Sequence, residues 1–107
     1  MTVKEFLKET YKPEKYTNLL EVRPHVICAD GFRVSIQAGY GLYSMPRNNL
    51  ENGEYEAVEL GFPSEPDELI KEYAECEDYT MTVYGYVPIE VVEQLIEKHG
   101  GIKELRR

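Results

Sequence analysis

His25-Val26-Ile27-Cys28-Ala29-Asp30-Gly31-Phe32-Arg33-Val34-Ser35-Ile36-Gln37-Ala38 is the stretch that decides the fold. Phe32, Val34, Ile36 and Ala38 alternate with Arg33, Ser35 and Gln37, the period of a strand with one buried face. His25 to Cys28 is a second, shorter β-type run. Asp30-Gly31 between them supplies a turn, because glycine takes a positive φ without steric cost. Two such runs around Asp-Gly predict a β-hairpin over about 25–38.

On the N-terminal side, Thr2-Val3-Lys4-Glu5 reads as a capping box. It predicts a helix over about 3–9 with Val3, Phe6 and Leu7 as its apolar stripe. Pro13 stops any continuation. Residues 14–24 read as irregular, with an extended piece over 19–22. On the C-terminal side comes a long loop, 39–53, closed by Asn52-Gly53. A third strand over 54–60 follows, with Val58, Leu60 and Phe62 on one face. Ser64 is placed to cap a helix over about 65–75, with Leu69, Ile70 and Tyr73 inward and Pro66 in its first turn. Tyr79 to Val87, rich in Thr, Val and Tyr, reads as a fourth strand. Pro88 opens a last helix over about 88–99, where Ile89, Val92, Leu95, Ile96 and His99 repeat at helical spacing. Gly100-Gly101 ends it, and residues 102–107 read as a frayed tail.

These elements predict a single α+β domain over 1–107. Its sheet has about four strands, mainly antiparallel, with two to three helices on one face. Strand parity assigns Phe32, Val34, Ile36, Val58, Leu60, Met81 and Val83 to the helix side. It leaves Arg33, Ser35, Gln37, Tyr55, Ala57, Glu59, Thr82, Tyr84 and Tyr86 on a polar and aromatic outer face.

Charge is the second strong signal. Residues 51–78 hold eleven carboxylates and one base, Lys71, so this block alone carries a formal −10 in a chain of net charge −8. Such a field repels nucleic acid and anionic membrane and attracts basic protein surfaces. Tyr55, Val58, Leu60, Phe62, Leu69, Ile70 and Tyr73 lie within the same block, so it should fold rather than dangle. A solvated face kept for solubility explains the charge equally well. The chain has 107 residues, 9 tyrosines, no tryptophan and 2 cysteines. No apolar run approaches a membrane span, and the N-terminus lacks the apolar core of a signal peptide. Both observations point to a cytosolic protein with free thiols.

The chemistry-bearing residues do not assemble into a catalytic set. His25-x-x-Cys28 with Cys76 and His99 lacks the paired spacing of a zinc site, and no calcium-loop pattern is present. His25 and Cys28 would point to opposite faces of a strand, so they do not make a nucleophile–base pair. Gly39-Tyr40-Gly41 is not followed by the helix that a phosphate loop needs. The reading is therefore no enzyme, no metal, no cofactor and no direct nucleic-acid contact. The candidate partner-binding surface is Glu54, Glu56, Glu59, Glu68 and Glu72 with Tyr43, Tyr55, Tyr84 and Tyr86. The alternative is a small-ligand or sponge site built on loop 39–53 and the outer sheet face, from Arg33, Gln37, Tyr43, Arg47 and Tyr84.

Several runs carry a resemblance. They are the run from His25 to Phe32, Ser35-x-Gln37-Ala38, Ser44-Met45-Pro46-Arg47, the run from Val58 to Ser64, the run from Thr82 to Pro88, and Glu97-Lys98-His99-Gly100-Gly101. Together they resemble a family of small phage- and prophage-encoded proteins over residues 25–101. The resemblance brings no activity, cofactor or catalytic residue. It implies a phage protein acting in the host cytoplasm. The expectation that follows is an acidic inhibitor of a host protein with a basic, nucleic-acid-binding surface, such as a defence nuclease or a CRISPR effector. A phage structural or host-takeover accessory role and self-association into a homo-oligomer stay open.

Overall fold

A computed structural model describes residues 1–11 and 22–107. The sequence readings at Pro13 and over most of 14–24 fall outside the described residues. Helix α1 is Val3–Glu9. Strands β1, His25–Cys28, and β2, Arg33–Gln37, follow. Then come β3, Ala57–Gly61, β4, Val83–Pro88, helix α2, Ile89–Lys98, and β5, Ile102–Arg106. The five strands form one antiparallel sheet in the order β4-β3-β2-β1-β5. The α+β single domain stands, with one strand more and one helix fewer than the upper sequence reading.

The hairpin forms as its alternation requires: Val26 faces Val34, and Ile36 faces Leu60 on the next strand. The α1 capping box is complete, since Thr2 Oγ1 accepts the Glu5 N–H at 3.0 Å and Glu5 Oε1 accepts the Thr2 N–H at 2.7 Å. Val3, Phe6 and Leu7 of α1 and Val92, Leu95 and Ile96 of α2 share one core with Val26, Val34, Ile36, Val58 and Leu60. Burying each of these side chains contributes about 1.5–3 kcal/mol.

Four sequence readings need correction. Residues 65–75 do not form a helix. The segment makes turns and one short 3₁₀ turn, Lys71–Tyr73, and then pairs with β4. The Asp67 side chain takes the Leu69 N–H at 3.0 Å, a local bond that competes with helix formation. Crowding Glu65, Glu68, Glu72 and Glu75 at helical spacing would add like-charge repulsion. The second correction is the C-terminus: 102–107 is no frayed tail. Gly100 and Gly101 take φ of +92° and +88°, reverse the chain, and lay β5 against β1. The third is the parity of β4. Leu60 faces Tyr84 and Val58 faces Val87, so two residues, Gly85 and Tyr86, stand opposite Glu59. This bulge turns Tyr84 and Val87 inward together, although they are three apart. Tyr84 is fully buried, whereas Met81, expected on the helix side, is 68% exposed. The fourth is Phe62, which, expected inward, has φ of +50° and points to solvent.

Candidate functional site

Strand β4 lies at the edge of the sheet, and its unpaired backbone is covered by two irregular segments. From one side, Ala74 bridges Tyr84 and the Glu75 N–H donates to the Val83 carbonyl at 3.0 Å. From the other, the Tyr43 carbonyl accepts the Tyr86 N–H at 3.0 Å. Covering the edge in this way blocks strand addition by other chains. It also brings the acidic segment and the long loop to the same place.

Tyr43 and Tyr86 meet there, with ring centroids 5.7 Å apart and planes tilted by 37°. Both rings are about two-fifths exposed. Tyr86 sits in the bulge at φ of +53°, a conformation that bulky residues rarely adopt. Holding it there costs about 1 kcal/mol or more. Gly85 directly precedes Tyr86. A Cβ added to it would lie 3.4 Å from both Glu75 Oε1 and Tyr43 Cβ, so the Glu75 carboxylate and the Tyr43 side chain both pack over Gly85. Glu59 Oε1 accepts the Tyr43 N–H at 3.1 Å. The Arg47 guanidinium lies 5.6 Å from the Tyr43 ring centroid, and its Nε donates to the Leu42 carbonyl at 2.9 Å.

The acids of 51–78 divide into two sets. Glu54 pairs with Lys4 at 2.8 Å, Glu68 with Lys71 at 2.6 Å, and buried Asp67 with Lys98 at 3.0 Å. Glu51, Glu56, Glu65, Glu72, Glu75, Glu77 and Asp78 are exposed, Glu59 is half-buried, and none of these eight makes an ion pair among the described residues. Of the carboxylates read from the sequence as partner-binding, Glu56, Glu59 and Glu72 thus pair with no cation among the described residues, and Glu54 and Glu68 do. Glu75, in the aromatic patch, was missed, because the helix reading gave no reason to bring it beside β4.

The aromatic candidates also divide. Tyr43 and Tyr86 come together on the surface. Tyr55 and Tyr84 do not join them. Tyr55 is 4% exposed; its hydroxyl donates to the Asn48 carbonyl and accepts the Leu50 N–H, both at 2.8 Å. Tyr84 lies in the core and donates to the Tyr79 carbonyl at 2.5 Å. The alternative ligand set is scattered. Gln37 is buried, accepting the Arg23 N–H at 3.0 Å and donating to the Arg23 carbonyl at 2.9 Å. Arg33 donates to His25 Nδ1 at 3.2 Å, whereas Arg47 donates to the Leu42 carbonyl within the loop. Loop 39–53 is tied down rather than arched over a pocket: Ser44 is buried and takes the Gly39 N–H, and Met45 bridges Ala57. A cleft of about 510 Å³ does exist, but on the helix side, lined by Lys4, Gly53, Glu54, Tyr55, Ile89, Glu90 and Glu93.

A second polar cluster is buried beneath the α2–β5 turn. His99 donates from Nδ1 to Asp30 Oδ2 at 2.6 Å and from Nε2 to Asp67 Oδ2 at 2.9 Å, and its ring stacks on Phe32 at 3.9 Å. Carboxylates only accept, so both bonds require the doubly protonated imidazolium. Burial pushes the His99 pKa down, but the bonds to Asp30 and Asp67 outweigh it and leave it raised. Burial pushes Asp67 up, and the Leu69 N–H, His99 and Lys98 bring it below its ordinary value. The Phe32 N–H and His99 lower Asp30. With both nitrogens committed, His99 is neither a general base nor a metal ligand. Cys28 is buried, and burial together with Asp30 pushes its thiol up to about 11, which makes it a poor nucleophile. Cys76 is exposed and free. Among the described residues, no group of three or more His, Cys, Asp or Glu is arranged to hold a metal. No described helix is long and apolar enough to cross a membrane.

Comparison with protein-family models, with curated proteins and with solved structures finds no match. The resemblance to small phage proteins therefore rests on its motif residues alone, and function must be argued from the site.

Proposed function

We propose that this protein is a non-enzymatic binding module that docks its acidic, tyrosine-bearing edge onto the basic surface of another protein. The observation that carries this reading is the exposed Tyr43–Tyr86 pair, held at a backbone bulge next to Glu75, a carboxylate that makes no ion pair among the described residues. Exposed aromatics anchor interfaces, and a one-signed rim steers the encounter. In the setting implied by the phage resemblance, the partner is a host protein whose basic surface otherwise takes nucleic acid, such as a defence nuclease or a CRISPR effector. A solvated face kept for solubility would need the charge but not an exposed pair of aromatic rings next to it.

The test is kinetic. The partner is captured from host lysate, and its association is measured at about 0.1 M and about 1 M salt, where the Debye length is about 10 Å and about 3 Å. The variant Glu72→Lys/Glu75→Lys/Glu77→Lys/Asp78→Lys should associate far more slowly while melting at a similar temperature. Salt-independent association, with the same rate for that variant, would reject the proposal. The helix-side cleft favours a second reading, a small-ligand carrier; an ultraviolet-absorbing compound carried through purification and lost in Ile89→Trp would support it.

A further inference from the structure

We infer that the Tyr43–Tyr86–Glu75 patch is an arginine receptor: the partner group it takes is a guanidinium laid against the tyrosines and paired with Glu75. This inference rests on the docking surface proposed above and names its anchor.

Three observations combine. The first is that the patch already holds a guanidinium, since Arg47 lies over the Tyr43 ring at 5.6 Å. A flat, weakly hydrated cation stacks on an aromatic face more readily than a compact ammonium. Only Nε of Arg47 makes a protein hydrogen bond among the described residues, so Arg47 does not use the carboxylates of the patch. The second is the supply of negative charge. Glu75 lies over Gly85 beside Tyr43 and has no ion pair among the described residues, while Glu59 is engaged by a backbone N–H. A carboxylate beside an aromatic face offers the two features that a guanidinium uses together, a planar stack and a two-pronged hydrogen bond. A lysine ammonium uses the charge but not the planarity.

The third observation is the backbone. Gly85 carries no side chain in the strip between Tyr43 and Glu75, and Tyr86 is turned outward by its left-handed conformation. An ordinary β residue at position 86 would keep the strand alternation and lose the contact with Tyr43. The bulge therefore converts a sheet edge into a ring pair with an adjacent acid.

The experiment compares two peptides of equal charge, nona-arginine and nona-lysine, binding to the full chain by calorimetry, with amide and aromatic NMR shifts as the locator. The arginine peptide should bind about tenfold tighter, a difference of about 1.4 kcal/mol. Its shifts should centre on Tyr43, Gly85 and Tyr86. Tyr86→Gly, which suits the positive φ and so preserves the fold, and Glu75→Gln should each bring the two affinities to within about twofold of one another. Because the readout is a ratio, a general loss of charge or stability does not mimic it. Equal affinities for the two peptides, both weakened by salt and by the four-lysine variant, would overturn the arginine receptor and leave the acidic docking surface standing. A tenfold ratio untouched by Tyr86→Gly and Glu75→Gln would also overturn it, by placing the preference elsewhere. Binding of neither peptide would overturn both.

Discussion

Replacing His99 with alanine tests the buried cluster under the α2–β5 turn. The His99 side chain is 6% exposed and that of Asp67 is 3% exposed. Removing one partner of a buried pair costs about 3–5 kcal/mol, because the other charge stays buried. Two features put this case at the low end: Lys98 still reaches Asp67 at 3.0 Å, and half-exposed Asp30 regains water. Loss of the stack on Phe32 adds a smaller term. The expected cost is about 3 kcal/mol, a large share of the roughly 5–15 kcal/mol of a domain this size. The pH dependence has a definite sign. The folded pKa of His99 lies above 6.5, so its stabilisation is complete below about pH 6.5 and fades as pH rises through the raised value. The folded values of Asp30 and Asp67 lie below 3.8, so their stabilisation holds above that and fades as pH falls through the lowered values. Urea unfolding of both proteins from about pH 5 to about pH 10 should show the penalty of His99→Ala largest near pH 5 and shrinking toward alkaline pH. A penalty below about 0.5 kcal/mol near pH 5, or one that does not change across the series, would refute the imidazolium assignment.

Two further outcomes follow from packing. Ile36 is fully buried in the core that the sheet shares with the helices, so Ile36→Ala should lower stability by about 2–5 kcal/mol in urea unfolding; a loss near zero would mean that this side chain does not face the core. Ending the chain after Gly101 removes β5 and bares the outer edge of β1. Several backbone bonds of about 0.5–1.5 kcal/mol each are lost, so a drop of about 2–4 kcal/mol and concentration-dependent association are expected in melting and sedimentation. An unchanged melting temperature and a single monomeric species would contradict the role of β5.

The parts of the fold that were legible are those specified by neighbours in sequence. Thr2 and Glu5 close a cap three residues apart, and Asp30-Gly31 joins two runs whose alternation sets their faces. The acidic segment misled because Ser64, Pro66 and the spacing of Leu69, Ile70 and Tyr73 satisfy helix rules, while the pairing of Ala74 with Tyr84 is a tertiary contact that no local pattern carries. The faces assigned to Met81, Thr82 and Tyr84 are inverted, and the bulge at Gly85-Tyr86 then shifts the alternation back. Tyr84 went to the core, against the outer face assigned to it, whereas Tyr86 lies on the surface as read. The His99 cluster was invisible for a simpler reason: its acids lie 69 and 32 residues away in sequence. Gly100-Gly101 was correctly read as a helix stop, but two glycines at positive φ also make a reversal, and Ile102 is the apolar residue that the reversal returns to the sheet.

The position of β1 in the sheet also sets an order of events in folding. One of its edges is filled by β2, a few residues downstream, and hairpins of this kind close within about 1–10 μs. Its other edge waits for β5, whose Arg106 pairs with His25 from most of the chain's length away. Closing so long a loop is slow and must be completed before the pairing stabilises anything. On the ribosome the hairpin therefore emerges first and carries an open strand edge until the last residues of the domain are made. That interval, rather than the finished protein, is when this chain is most exposed to wrong pairing.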